Sequence, residues 1–350
     1  MSCSDQPPPH EVTIPPLDND ARQAVRDRQL QLTKPPGSLG RLETMAGDLA
    51  AMQSTSRPTV DPAVVVTMAA DHGVAAEGVS AYPQSITAAM VANLADRGAA
   101  VNALCEANEI ENIVVDMGVA GDIPAGVLGY RVDKGTANMV QGPAMTPQQA
   151  LDAISAGQSV LADVAPEARV VGLGEMGIAN TTASAAITAL LTDSPVEAVT
   201  GHGTGIDVET RAQKVDVIEQ AIETNNPDPS DPISVLRSVG GFEIAGLVGL
   251  TLSAASQRVP VVVDGFIAGA AALVAAELNP RVTDYLLASH DSVEPGHAAQ
   301  LDALGLEPCF DYGMRLGEGT GAALAIGVYR AACTAHNEMS TFAEAGLETE

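Results

Sequence analysis

Short apolar runs alternate with longer segments of helical period along most of this 350-residue chain. The runs are 63–69 (AVVVTMA), 112–116 (NIVVD), 170–174 (VVGLG), 259–263 (VPVVV) and 284–288 (DYLLA), with a weaker candidate at 127–132. They show little alternation, which predicts strands buried on both faces. Helices are predicted between them: at 85–108, at 147–163 with Thr146 as cap and Pro147 in the first helical position, and from 180, 208 and 242 onward. A last helix follows the glycines at 317–321 and runs to about 335, while two more, 19–31 and one capped by Ser38 that ends near 52, precede the first strand. Strands of this kind alternating with helices predict an α/β fold, a parallel sheet covered by helices on both faces. No internal repeat is evident.

Right-handed crossovers put every carboxyl end of such a sheet on one edge, where its ligands bind. That edge is expected to collect Asp71, His72, Asp116, Glu175, Asp264 and the segment 289–292. The most informative stretch is RVVGLGEMGIANTTASAAITALL at 169–191, a strand, a glycine-bearing loop and a helix start. Unpaired first-turn amides and the helix dipole make such a start an anion site. Asn180, Thr181 and Thr182 are good N-cap types that could also donate to a phosphate. Glu175 stands in the mouth of the crevice, where an acid or base would act; the plainer reading is a tight turn with a solvated acid. The loop is neither GxGxxG with a downstream acid nor a Walker A sequence, so a monophosphate fits better than a dinucleotide or triphosphate. A second stretch, MRLGEGTGAA at 314–323, carries Arg315, a planar fork for carboxylate or phosphate, and Glu318 between glycines. A carboxylate favouring its own helix dipole would account for Glu318 without catalysis.

Composition narrows this picture. Asp and Glu number 44 against 17 Lys and Arg, a formal charge of −27. The acid is dispersed, which opposes nucleic-acid binding and suggests a surface adapted to salt-rich surroundings. Among so few cations, Lys34, Lys134 and Lys214 are the lysines, and each has a raised chance of a local task. No apolar run approaches the ~20 residues of a membrane-spanning helix, and the start MSCSDQPPPHEVTIPP reads as a flexible lead over 1–17, without the features of a secretory signal. Cys3, Cys105, Cys309 and Cys333 are scattered and the histidines lack ligand spacing, so neither a disulfide framework nor a zinc site is expected, and a reducing cytoplasm fits.

Several stretches together resemble one family. LTKPPGSLGRLE (32–43), ADHGVAAEGV (70–79), VDMGV (115–119), GTANMVQGPAM (135–145), GLGEMGIANTT (172–182), KVDVI (214–218), VGGFEIAG (239–246), VDGFIAGAAAL (263–273), SHDSVEPGH (289–297) and MRLGEGTGAAL (314–324) are similar, in order, to the nicotinate-nucleotide:dimethylbenzimidazole phosphoribosyltransferases. The resemblance implies transfer of phosphoribose from nicotinate mononucleotide to a benzimidazole nitrogen, in the making of the lower-ligand nucleotide of cobalamin. It implies no metal and no cofactor. Glu318 matches the family's catalytic glutamate and Glu175 a second acid of the site. Gly177, Lys214 and Ser292 match its phosphate contacts, with Asn180, Thr181 and either Lys134 or Arg315 assisting; Asp264 is a candidate for the ribose hydroxyls, or structural. Tyr82, Met90, Met176, Phe242 and Leu316 are candidates for the acceptor-base pocket, ordinary core being the alternative. Familiar bacterial members carry serine and glutamine in place of Tyr82 and Met90, which leaves the natural base open among benzimidazoles, phenols and purines. The implied fold is a Rossmann-like domain at 60–317 with a small helical domain from 18–57 plus 318–340, followed by an acidic tail at 341–350. The implied assembly is a homodimer whose partner helps close the site. Competing readings are a dinucleotide-dependent dehydrogenase and a nucleotide-binding protein without chemistry.

Overall fold

The computed structural model describes residues 8–347. Among them, strands β1 (Ala63–Ala70), β2 (Glu111–Gly118), β3 (Leu128–Gly129), β4 (Val170–Met176), β5 (Val261–Val263) and β6 (Leu286–Ala288) form one sheet in the order β3-β2-β1-β4-β5-β6. Every neighbouring pair is parallel. All eight residues of β1 are buried, as a central strand flanked on both sides and covered on both faces requires. The covering helices use alternate residues. Val65 faces Ala322 and Ile326 of the helix Thr320–Glu338 across Gly172, whereas Met68 faces Gly246 of the helix Phe242–Ser256. The latter helix lies against the helix Pro147–Val164 so closely that a Cβ on Gly157 would strike the Gly246 carbonyl.

Four local expectations need correction. The segment 85–108 is two helices, Ile86–Ala95 and Ala100–Ala107. Between them Arg97 takes φ 60. Asn102 fastens this turn by accepting from Ala99 N (3.0 Å) and donating to Leu94 O (3.2 Å). Ser38 is no cap: the helix Arg41–Gln53 starts after Gly40, which has a positive φ of 56. Asn180, Thr181 and Thr182 do not cap the helix Asn180–Thr192 either; its cap residue is Ala179 at φ 76, with no side-chain bond. The described part of the lead, 8–17, is anchored, because Ile14 is buried and Tyr285 Oη donates to Pro15 O at 3.0 Å. Residues 1–7 of that lead and 348–350 of the acidic tail lie outside the described residues.

The helices Asn19–Gln29 and Arg41–Gln53 gather with Thr320–Glu338 around a small cluster of Val25, Ala46 and Ala50. Arg28 ties the group by donating to His336 O (3.1 Å) and Met339 O (3.0 Å) at the end of the last helix. The start of that same helix faces the carboxyl edge of the sheet, so it joins the terminal helices to the candidate site.

Candidate active site

The carboxyl edge holds a cavity of about 710 Å³. Its walls come from the loops after β1, β4, β5 and β6 and from the segment 315–318. Glu175, next to last in β4, is 5% exposed. Asn180 Nδ2 donates to its Oε2, and Glu318 N approaches its Oε1 at 3.4 Å. Burial drives its pKa up to about 8; Asp264 and Glu243 push the same way, and the Asn180 bond opposes them. Such a site favours the neutral form of the carboxyl.

Glu318 is also 5% exposed and lines the same cavity. It sits at φ 63 between Gly317 (φ 83) and Gly319 (φ 95), three successive left-handed residues. For a glutamate this costs on the order of 1 kcal/mol and marks a conformation imposed by its surroundings. Thr67 Oγ1 of β1 imposes part of it by donating to Glu318 O at 3.0 Å. Gly174 of β4 has no Cβ to collide with that carbonyl. Glu318 Oε2 is buried without a partner among the described residues, and burial raises the pKa of the group. Asp264 joins them from the loop after β5, accepting from Gly319 N (3.2 Å) and Ala322 N (3.0 Å). It thereby pins the start of the helix that follows Glu318, and its pKa is pushed up to about 7 by burial against those bonds.

Cationic groups also stand beside the cavity. Gly177 turns the chain out of β4 where a Cβ would lie 2.5 Å from Ala70 O and 3.2 Å from Glu243 Oε1. Behind it His72 Nε2 and Glu243 Oε1 form a buried pair at 2.6 Å. Lys214 is 1% exposed, and its Nζ donates to Thr181 Oγ1 at 2.7 Å. Thr181 lines the cavity, so the ammonium stands one layer behind the wall, its pKa lowered to about 8 by burial although Glu294 favours the charge. Arg315 Nη1 donates to Gly203 O at 3.0 Å across the mouth.

A family model described as "Phosphoribosyltransferase" matches residues 14–347. The chain belongs to this phosphoribosyltransferase family. It is 50% identical over 339 residues to the nicotinate-nucleotide--dimethylbenzimidazole phosphoribosyltransferase of Syntrophotalea carbinolica, covering 95% of this chain and 96% of that protein. The protein of the same name from Halalkalibacterium halodurans is 48% identical over 337 residues, covering 96% and 94%. A crystal structure of the enzyme of that name from Thermus thermophilus is similar with a TM-score of 0.89 at 43% identity, covering 95% of this chain and all of the other.

Within this phosphoribosyltransferase the cavity unites Glu175, Glu318, Gly177, Asn180, Thr181, Asp264, Ser292 and Arg315 with Tyr82, Met90, Met176 and Leu316. Besides Lys214 behind the wall and Thr182, which is fully buried outside the lining, three candidates fall elsewhere. Phe242 is fully buried against Gly118 of β2, because its helix packs beneath the sheet; Phe266, which follows a similar glycine after β5, lines the cavity instead. Lys134 is exposed and absent from the walls. Lys34 pairs with Glu43 at 2.6 Å in the terminal helices. The reading of the sequence missed Ile86, Thr204 and Glu294, which also line the cavity, and placed His290 on the carboxyl edge without giving it a role. The glycine run at 201–205 and the segment 289–297 were the available signals, since both follow elements that end on the carboxyl edge.

Proposed function

We propose that this protein transfers the 5-phosphoribosyl group of nicotinate mononucleotide to a ring nitrogen of 5,6-dimethylbenzimidazole or a related flat base, giving α-ribazole 5′-phosphate and nicotinate, for cobalamin biosynthesis. The observation that carries the reading is the meeting of Glu175 and Glu318, 143 residues apart in sequence, in one cavity beside the Thr181–Lys214 pair. The phosphate sits at the Gly177 turn, Thr181 and Ser292, with the Lys214 charge behind it. The base lies among Tyr82, Ile86, Met90 and Leu316, an apolar group that accepts a planar ring.

The base nitrogen attacks C1′ of the ribose from the face opposite nicotinate. The C1′–N bond to nicotinate breaks, its electron pair neutralising the pyridinium, and the new C1′–N bond forms with inversion. The second nitrogen of the base loses its proton to Glu318, whose burial makes it a stronger base than a solvated glutamate. Glu175 holds the Glu318 backbone and, in the neutral form that burial favours, adds no second charge beside it. Most of the remaining acceleration comes from holding both rings in attack geometry.

The same reading carries a cytoplasmic homodimer in which the small helical domain, 18–57 plus 318–340, helps close the partner's cavity; light scattering measures its mass. Nicotinate release from the mononucleotide, followed with and without dimethylbenzimidazole, tests the reaction. Release that depends on the base, with equimolar α-ribazole phosphate, is expected. Tight binding of the nucleotide with no release would identify a nucleotide-binding protein without chemistry.

A further inference from the structure

We infer that His290 is a further substrate-contacting residue, whose Nε2 accepts a hydrogen bond from a ribose hydroxyl of the phosphoribosyl donor; the inference rests on the reaction proposed above. His290 lies two residues beyond β6, is 2% exposed and lines the cavity. Its tautomer follows from counting protons. Ser289 Oγ is 2.5 Å from the backbone oxygen of Asp264, a group that can only accept, so the one hydroxyl proton lies there. The 2.9 Å contact between Ser289 Oγ and His290 Nδ1 then requires the ring to donate. Nδ1 carries the hydrogen, and in the neutral ring Nε2 is a bare acceptor. Burial lowers the pKa of His290 despite Asp291 and Asp311 nearby, which favours the neutral ring.

The ring is held in place. Phe310 lies nearly parallel to it at an interplanar angle of 16°. Gly321 has no room for a Cβ against Nδ1 and Cε1. Gly265, by contrast, leaves the other edge open: a Cβ there would stand 3.4 Å from Cε1 and 3.6 Å from Nε2. Nε2 has no hydrogen-bond partner among the described residues. The buried polar network around Asp264 thus ends on one rigid acceptor facing the cavity.

The chemistry of the donor selects its partner. At neutral pH nicotinate mononucleotide carries a phosphate that is mostly dianionic, a carboxylate and a pyridinium without an N–H. Its dependable hydrogen-bond donors are the ribose hydroxyls. The azole N–H of the incoming base is the other donor in the reaction, but the sheet order separates it. Tyr82, Ile86 and Met90 follow β1, on one side of β4, whereas Asp264, His290 and Ser292 follow β5 and β6 on the other.

The test compares nicotinate mononucleotide with its 2′-deoxy and 3′-deoxy analogues. The wild type is expected to lose about tenfold in kcat/KM on one of the two, the size of a single hydrogen bond in a desolvated site. His290→Asn keeps a donor near Ser289 and lacks Nε2, so it should lose a similar factor on the ribonucleotide and no longer discriminate against that deoxy analogue. His290→Gln, which reaches further with an amide oxygen, should restore part of the discrimination. Gly265→Ala leaves the ring and its Ser289 bond in place and narrows the approach to Nε2; it should weaken the same discrimination and serves if the histidine variants fail to fold. An undiminished deoxy penalty in a folded His290→Asn or Gly265→Ala variant overturns the inference. A wild type that releases no nicotinate from the ribonucleotide overturns the proposed reaction instead.

Discussion

Lys214→Met removes one positive charge from behind the proposed phosphate and leaves a side chain of similar volume, so little packing is lost. The size of the effect follows from the geometry. Nζ is 2.7 Å from Thr181 Oγ1. The ammonium donates to that oxygen, which frees the hydroxyl proton for the cavity. A phosphate oxygen bonded to Thr181 would lie ~2.8 Å further on, which puts ammonium and phosphate about 5 Å apart. At an effective dielectric constant of ~20, a unit pair at that distance interacts by ~3 kcal/mol, and the second phosphate charge adds to this. Desolvation of the ammonium opposes it, as the lowering of the Lys214 pKa to about 8 by burial shows. A net loss of roughly 2–3 kcal/mol remains, or about 30- to 150-fold in affinity.

The assay is initial-rate release of nicotinate from the mononucleotide and from nicotinate riboside, which lacks the phosphate. For the mononucleotide, kcat/KM should fall by that factor, mostly through KM. For the riboside it should hardly change, so the preference of the enzyme for the phosphorylated donor collapses. An equal fall for both donors would mean that Lys214 supports the fold or the chemistry and does not read phosphate. A rise in the KM of the base alone would refute the placement altogether.

Other perturbations reach the rest of the site. Glu318→Gln should lower kcat by about 10²- to 10⁴-fold with little change in nucleotide KM, read in the same assay. Glu175 has a folded pKa near 8 against 4.5 for the free group, so its contribution to stability is complete below 4.5 and is lost as pH rises through 8. Glu175→Gln should therefore gain melting temperature over the wild type between pH 5 and pH 9; a gap that stays constant with pH would refute the burial argument. Gly177→Ala must displace Ala70 O or the turn itself, which should raise nucleotide KM and lower the melting temperature. With a formal charge of −27, the protein should melt at higher temperature as KCl is raised from millimolar towards molar, and a salt-independent melting curve would end that expectation.

The sheet was legible because a buried parallel strand has no solvent face: β1, β2, β4, β5 and β6 all read as apolar runs. The acidic residues that end those runs mark the carboxyl edge for the same reason. What escaped depends on partners distant in sequence. The break at 96–99 is set by Asn102 folding back onto Ala99 and Leu94, which a helical period does not reveal. Asn180 and Thr181 look like caps, yet Glu175 and Lys214 occupy their side chains, and the helix starts from a left-handed Ala179 instead. Phe242 and Phe266 both follow a glycine at the start of a helix, and only the position of each helix relative to the sheet decides which one meets the cavity.

The convergence of three carboxyls in one cavity raises a question of charge that the proton affinities answer. Were Glu175, Asp264 and Glu318 all ionised, each would oppose the other two, and burial would oppose them all. Burial pushes Glu175 up to about 8 and Asp264 to about 7, which favours the protonated form of each more than in a solvated carboxyl. Asp264 is nevertheless fitted for charge by the Gly319 and Ala322 amides. A cation entering the cavity, such as the pyridinium of the donor, favours ionisation of whichever carboxyl faces it. Loss of that cation when nicotinate departs favours protonation again, at the moment when the base gives up its N–H. In the proposed reaction that proton goes to Glu318, whose Oε2 has no partner among the described residues. The acid-rich site is thus matched to a reaction whose positive charge begins on the leaving ring and ends as a proton on the enzyme.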